Sequence, residues 1–334
     1  MKRALCGILA VLACLAPAEA SARNDAEAVG ARAGSASVET AIFYYAWFGT
    51  PKDDGEYVHW QQGGSAPPAQ VGSNYYPARG PYSSADAVVL GSQMREIASA
   101  GVDTVIVSWW GPGSLEDRRL PAVIAAASGQ RLAVAAHLEP YTGRTVGSTG
   151  EDIAYLRTLG VSDFYVWASV GLADEDWLRL NRGLTGVRLF ANTNLPGKAA
   201  GGGFDGVYTY DVLLYDGRFF PRYCAQARRL DLLCAPSVGP GYDARRATPD
   251  IRVRDRRHGE TYDAMWQGAL RARADVVTVT SYNEWHEGTQ IEPARATRGY
   301  QGYSGAWGRT GAAAETAYLD RTAYWVAQFR SARG

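Results

Sequence analysis

Thr104-Val105-Ile106-Val107-Ser108-Trp109-Trp110 is an apolar run with β-branched residues at its centre and two tryptophans at its end. A strand with one wet face alternates apolar and polar residues. A run without that alternation belongs to a strand covered on both faces, as in a parallel sheet. Runs of the same kind recur at Ala41–Phe48, Leu132–Leu138, Asp163–Ala168, Val187–Ala191, Gly206–Tyr210, Leu232–Ser237 and Val276–Tyr282. Amphipathic stretches separate most of them: Ala85–Ala100, Ala122–Gln130, Glu151–Leu159, Glu175–Leu184, Phe219–Leu230 and Tyr262–Arg273, with Ala312–Phe329 closing the chain. The interval from Ala191 to Gly206 is too rich in glycine to read as a helix. Strands alternating with helices in one unbroken pattern predict an α/β fold, a (β/α)8 TIM barrel in a single domain over residues 41–334. The one long connection, Gly49 to Ser84, is the first βα loop, which in a barrel belongs to the wall of the site.

The ends of the chain set its setting. Lys2 and Arg3, an apolar stretch from Ala4 to Ala16 and the Ala18-Glu19-Ala20 site together read as a signal peptide over residues 1–20, cleaved after Ala20. The protein is therefore expected outside the cytoplasm, secreted or periplasmic, and the apolar stretch is too short for a membrane span. A lipoprotein reading through Val11-Leu12-Ala13-Cys14 is the alternative. Residues 21–40, rich in Ala, Ser and Gly, read as a flexible leader. Cleavage removes Lys2, Arg3 and Glu19 and leaves 32 basic and 33 acidic residues, a balance unlike that of a protein that grips nucleic-acid phosphates. Of the four cysteines only Cys224 and Cys234 stay; outside the cytoplasm they form either a disulfide or two buried thiols.

In a parallel barrel the strand C-termini converge on one face and carry the chemistry. Here those ends are aromatic and acidic: Tyr44-Tyr45-Ala46-Trp47-Phe48, Ser108-Trp109-Trp110, His137-Leu138-Glu139-Pro140-Tyr141, Tyr165 and Trp167, Tyr208-Thr209-Tyr210-Asp211, and Tyr282-Asn283-Glu284-Trp285-His286-Glu287. Ten Trp and 20 Tyr against 8 Phe give most of the aromatic rings a polar handle. Rings that stack on sugar faces beside acids that move protons make a carbohydrate cleft. Glu284 and Glu287 are the sharpest pair, because glycoside cleavage needs two carboxyls in different protonation states. On a surface helix the same spacing would be an ordinary solvated pair; the strand-end position beside Asn283, Trp285 and His286 weighs against that. Glu139 is a further acid after an apolar run. His137, His286 and their acidic neighbours could instead ligate a metal, but their spacing does not match H-E-x-x-H, and no metal or other cofactor is expected. No G-x-S-x-G elbow is present for a serine nucleophile.

With these residues in view, the sequence resembles glycoside hydrolase family 99, the endo-α-mannosidases and endo-α-mannanases. The resemblance is carried by Ser281-Tyr282-Asn283-Glu284-Trp285-His286-Glu287-Gly288-Thr289-Gln290-Ile291-Glu292, with supporting blocks at Phe43–Phe48, Val107–Trp110, His137–Tyr141, Phe204–Tyr210 and Pro240–Asp243. It implies a metal-independent barrel enzyme that cuts within a chain at an α-mannosyl residue with retention. It further implies Glu287 as general acid/base, Glu284 as the group that assists the sugar 2-hydroxyl, and a 1,2-anhydro sugar intermediate. Tyr44, Trp109, Trp110, His137, Glu139, Tyr208, Tyr210, Tyr242, Asn283 and His286 would bind the substrate, an α-mannan or mannose-rich oligosaccharide, and the protein would act as a monomer. Trp110, where relatives that trim glucose-capped glycans carry Tyr, points to the mannan-directed type. No sugar-binding arginine is assigned in Arg252–His258. Another polysaccharide as substrate, or sugar binding without turnover, are the alternatives that the sequence leaves.

Overall fold

The computed structural model describes residues 39–332; the signal segment and the leader up to residue 38 lie outside the described residues. Glu39 and Thr40, read above as leader, open the first strand instead. The strands are β1 (Glu39–Tyr44), β2 (Thr104–Trp109), β3 (Ala133–Leu138), β4 (Asp163–Val166), β5 (Arg188–Asn192), β6 (Gly206–Tyr208), β7 (Leu233–Ala235), β8 (Ser237–Val238), β9 (Tyr242–Asp243), β10 (Val253–Arg254) and β11 (Val276–Val279). Nine of them run parallel in the order β7-β6-β5-β4-β3-β2-β1-β11-β8 and form a nearly closed barrel. The expected single run Leu232–Ser237 is two strands, because Pro236 has no N–H to give the ladder. β7 pairs with β6 and β8 with β11, so the two halves share the seventh position of the barrel. β9 and β10 form a separate antiparallel ribbon.

Helices cover the barrel between strands. They are α1 (Ala87–Ser99), α2 (Leu115–Ser128), α3 (Val146–Thr158), α4 (Asp174–Gly183), α5 (Pro196–Gly201), α6 (Phe220–Arg228), α7 (Glu260–Ala272) and α8 (Ala317–Ser331), with short helical turns at Pro51–Asp54 and Ala312–Glu315. Caps explain several starts: Asp86 accepts the Val88 and Val89 N–H groups, and Thr145 and Ser148 make a reciprocal capping box. The stretch expected from Ala122 begins two turns earlier as α2, where Ser114 accepts the Asp117 N–H, and Pro121 lies inside it. α5 forms in the glycine-rich interval because a proline opens it, its fixed φ already helical. None of the helices among the described residues is long and apolar enough to cross a membrane.

Side chains on the strands alternate between two cores. Ile42, Tyr44, Val105, Val107, Trp109 and Leu138 point outward to the helices. Phe43, Tyr45, Ile106, Tyr165, Tyr208 and Tyr210 fill the barrel interior. Cys224 on α6 and Cys234 on β7 are bridged. Closing so short a loop restricts the unfolded chain by about 2–3 kcal/mol. The Cys224→Ser/Cys234→Ser double variant should lose about that much stability in urea unfolding, and an unchanged midpoint would contradict it.

Candidate active site

The alternation that divides the two cores selects the site. At the C-terminal mouth the inward residues are Tyr45 just after β1, Trp110 just after β2, His137 in β3 and Glu139 just after it, Trp167 after β4 and Tyr210 after β6. They line a cleft of about 260 Å3 with Glu284 and Glu287 against one wall. Tyr242 of the β9–β10 ribbon closes another side.

Several expected sugar contacts are placed elsewhere. Tyr44 faces the outer core and its hydroxyl donates to Gln93 Oε1 at 2.6 Å; the inward ring is Tyr45. Trp109 also faces outward and donates from Nε1 to Asp117 Oδ1 at 2.9 Å, leaving Trp110 at the cleft. Tyr208 points inward but is buried in the barrel, its hydroxyl 2.8 Å from His137 Nε2. Asn283 clamps β1: its Oδ1 accepts the Tyr45 N–H at 2.8 Å and its Nδ2 donates to the Tyr45 carbonyl at 2.9 Å. His286 is buried against the first βα loop, with Nε2 2.8 Å from the His59 carbonyl. Burial holds both His59 and His286 down at about 4, so both are neutral. The cleft also includes Trp47, Asp211 and Arg252, which the sequence reading did not assign. For Tyr45 the signal was available in the two-residue period of β1. For Arg252 there was none, since only the ribbon brings it to the cleft.

The acidic strand-end residues are held firmly. Glu139 Oε1 accepts from Ser108 Oγ at 2.8 Å and lies 2.8 Å from His137 Nδ1. Glu284 Oε1 accepts the His286 N–H at 3.0 Å, and Ser281 Oγ accepts the Glu284 N–H at 2.8 Å. The chain turns sharply at Gly288, where φ is +64° and a Cβ would lie 2.9 Å from the Asp243 carbonyl oxygen. That close approach to β9 requires glycine. Across it the Asp243 N–H donates to the Glu287 carbonyl at 2.8 Å. Arg256 Nη2 donates to the Gly288 and Gln290 carbonyls at 2.9 and 2.6 Å.

The two acids differ in what surrounds them. Burial, aided by Asp211 and Glu139, pushes Glu287 up to about 7. Tyr210 opposes this by donating to Glu287 Oε2 at 3.2 Å, and the Tyr45 hydroxyl lies 2.5 Å from that of Tyr210. Burial also raises Glu284, with the charge of Glu287 adding to it. Backbone N–H groups of His286 and Glu287 aim at Glu284 and oppose that rise, but burial outweighs them and Glu284 stays well above the usual carboxyl range. Two buried carboxyls, both raised above the usual range and lining one cleft, are equipped for acid–base chemistry on a bound sugar. Removing one donor to a charged group is worth roughly a factor of ten. Tyr210→Phe should therefore lower kcat about tenfold and move the alkaline limb of the pH profile upward. A limb that stays in place would separate Tyr210 from Glu287. No cluster of three or more metal-ligating side chains occurs among the described residues.

Residues 37–331 match Glycosyl hydrolase family 99. A glycoprotein endo-alpha-1,2-mannosidase-like protein of Danio rerio is 34% identical, over 76% of this chain and 70% of its own. The glycoprotein endo-alpha-1,2-mannosidase of Xenopus laevis is 32% identical, over 76% and 69%. The structure of the GH99 endo-alpha-mannosidase from Bacteroides thetaiotaomicron superposes with a TM-score of 0.79 at 29% identity, covering 89% of this chain and 98% of that one. An aromatic cleft with a buried carboxyl pair at the mouth of a parallel barrel, and a family match over nearly the whole described chain, place the protein in glycosyl hydrolase family 99 as a glycoside hydrolase.

Proposed function

We propose that the protein is a retaining, endo-acting α-mannoside hydrolase that cuts internal linkages of α-mannan or mannose-rich glycans. The observation that carries this is the Glu284/Glu287 pair at the mouth of the cleft, in a chain similar to proteins named for endo-α-mannosidase activity. Glu287 gives its proton to the glycosidic oxygen as the C1–O bond breaks. The axial 2-hydroxyl of mannose attacks C1 from the opposite face while Glu284 takes its proton, leaving a 1,2-anhydro sugar. Water then opens this ring at C1, Glu287 takes the water proton, and Glu284 returns its own to O2. Two inversions give net retention. Tyr45, Trp47, Trp110 and Trp167 supply ring surface to the sugar, and Tyr210 steadies Glu287.

Secretion through the 1–20 segment, with the Cys224–Cys234 bridge suited to an oxidising compartment, and action as a monomer complete the reading. Incubation with yeast α-mannan followed by product sizing tests it. Oligosaccharides of two or more units are expected; free mannose alone would make the enzyme exo-acting, and no product would move the substrate to another polysaccharide.

A further inference from the structure

A second pocket, about 460 Å3, opens on the other side of the β9–β10 ribbon and shares Tyr242 with the catalytic cleft. It is lined by Arg245, Arg254, Arg256, Arg257 and His258 against only Asp243 and Asp255. Asp243 is already neutralised: Arg245 holds both its oxygens at 2.8 Å, and Gln301 donates to Oδ2 at 3.1 Å. Arg257 is paired with Glu260 at 2.5 Å, so Arg254 and Arg256 against Asp255 keep the pocket positive.

Arg256 is the unusual member. It is 7% exposed, and no carboxylate pairs with it among the described residues. Its guanidinium carbon lies 4.5, 4.9 and 4.6 Å from the ring centres of Tyr75, Tyr303 and Tyr318, which line the same pocket. Nη2 serves the Gly288 and Gln290 carbonyls, while Nε and Nη1 make no hydrogen bond of good geometry and have only the Tyr75 and Tyr318 hydroxyls interacting with the guanidinium. Tying down the acid loop therefore accounts for one of three nitrogens. An aromatic cage offsets part of the cost of burying the charge and leaves two nitrogens without a well-formed hydrogen bond. Guanidinium groups in that condition are suited to oxyanions.

We propose that this pocket binds an oxyanion-bearing sugar, a residue substituted with phosphate or carboxylate, of the glycan whose chain crosses the ribbon from the cleft. The assignment of mannose as the sugar rests on the α-mannoside reading above; the charge recognition does not.

Calorimetry with mannose 6-phosphate, mannose, glucuronic acid and inorganic phosphate tests it. Mannose 6-phosphate or glucuronic acid should bind at least about tenfold tighter than mannose, and tighter than inorganic phosphate, with affinity falling as salt rises. Arg256→Gln, which retains a donor for the loop, and Arg254→Gln on the pocket wall should each weaken that binding. Glu287→Gln should leave it intact. Equal affinity for mannose, or insensitivity to both arginine variants, would overturn the charge assignment. Equal affinity for inorganic phosphate would overturn the glycan assignment, and loss of binding in Glu287→Gln would move the anion into the cleft. Binding of the sugar phosphate by a protein that leaves α-mannan uncut would remove the mannan reading and keep the pocket.

Discussion

Glu287→Gln is expected to lower kcat/KM on α-mannan by about a thousandfold, the scale of losing a general acid. The amide is nearly the same size, keeps an acceptor for the Tyr210 hydroxyl and cannot donate a carboxyl proton. Binding of mannan oligosaccharides should therefore survive while turnover fails. The pH profile should change with it. Because burial raises Glu287 to about 7, its proton is present at lower pH and is lost as pH rises past that value. Wild-type activity should accordingly decline on the alkaline side of about pH 7, and the residual activity of the variant should lack that limb. Retention of near-normal activity by Glu287→Gln would remove the residue from the acid role.

The second large effect concerns folding. Glu292, eight residues after Glu284, is fully buried on the outer side of the barrel. Its Oε1 accepts from Gln93 Nε2 at 2.9 Å and pairs with Arg79 Nε at 2.9 Å. Its Oε2 accepts from the Tyr82 hydroxyl at 2.7 Å and from Trp285 Nε1 at 2.8 Å. Glu292→Ala would leave three buried donors without their acceptor and the Arg79 guanidinium with Glu96 alone, which it holds at 2.6 Å. Breaking a buried ionic network by removing one partner costs about 3–5 kcal/mol. Urea unfolding should show a loss on that scale, and a loss below about 1 kcal/mol would mean that water replaces the carboxylate at little cost.

The barrel was legible because buried parallel strands leave unbroken apolar runs, and Thr104–Trp110 is one of the clearest. The acid pair was legible because both carboxyls follow such a run. Positions that depend on which face of a strand a residue occupies were open to the same reading and were misplaced. Tyr44 and Tyr45 are adjacent and alike in chemistry, yet one meets Gln93 behind the sheet and the other meets Tyr210 inside it. Trp109 and Trp110 divide the same way. What no local pattern reveals is a partner brought in by the fold. Glu292 belongs to the same motif as Glu287, and only the arrival of Arg79, Tyr82 and Gln93 from the first loop and α1 shows it to be structural. Arg252 and Arg256 differ for the same reason: a ribbon places one at the cleft and buries the other beneath tyrosines.

The joint between that ribbon and the acid loop bears on how such an enzyme can be modified. Asp243, Gly288 and Arg256 join the peptide bearing Glu287 to the β9–β10 ribbon between the cleft and the arginine-lined pocket. Loops that choose substrates are usually exchangeable parts, because the catalytic groups stand on a separate frame. Here the ribbon and the acid peptide are one piece, so grafting a relative's ribbon would also re-aim Glu287. Successful exchanges should be those that transplant Tyr242–Arg256 together with Glu284–Gln290.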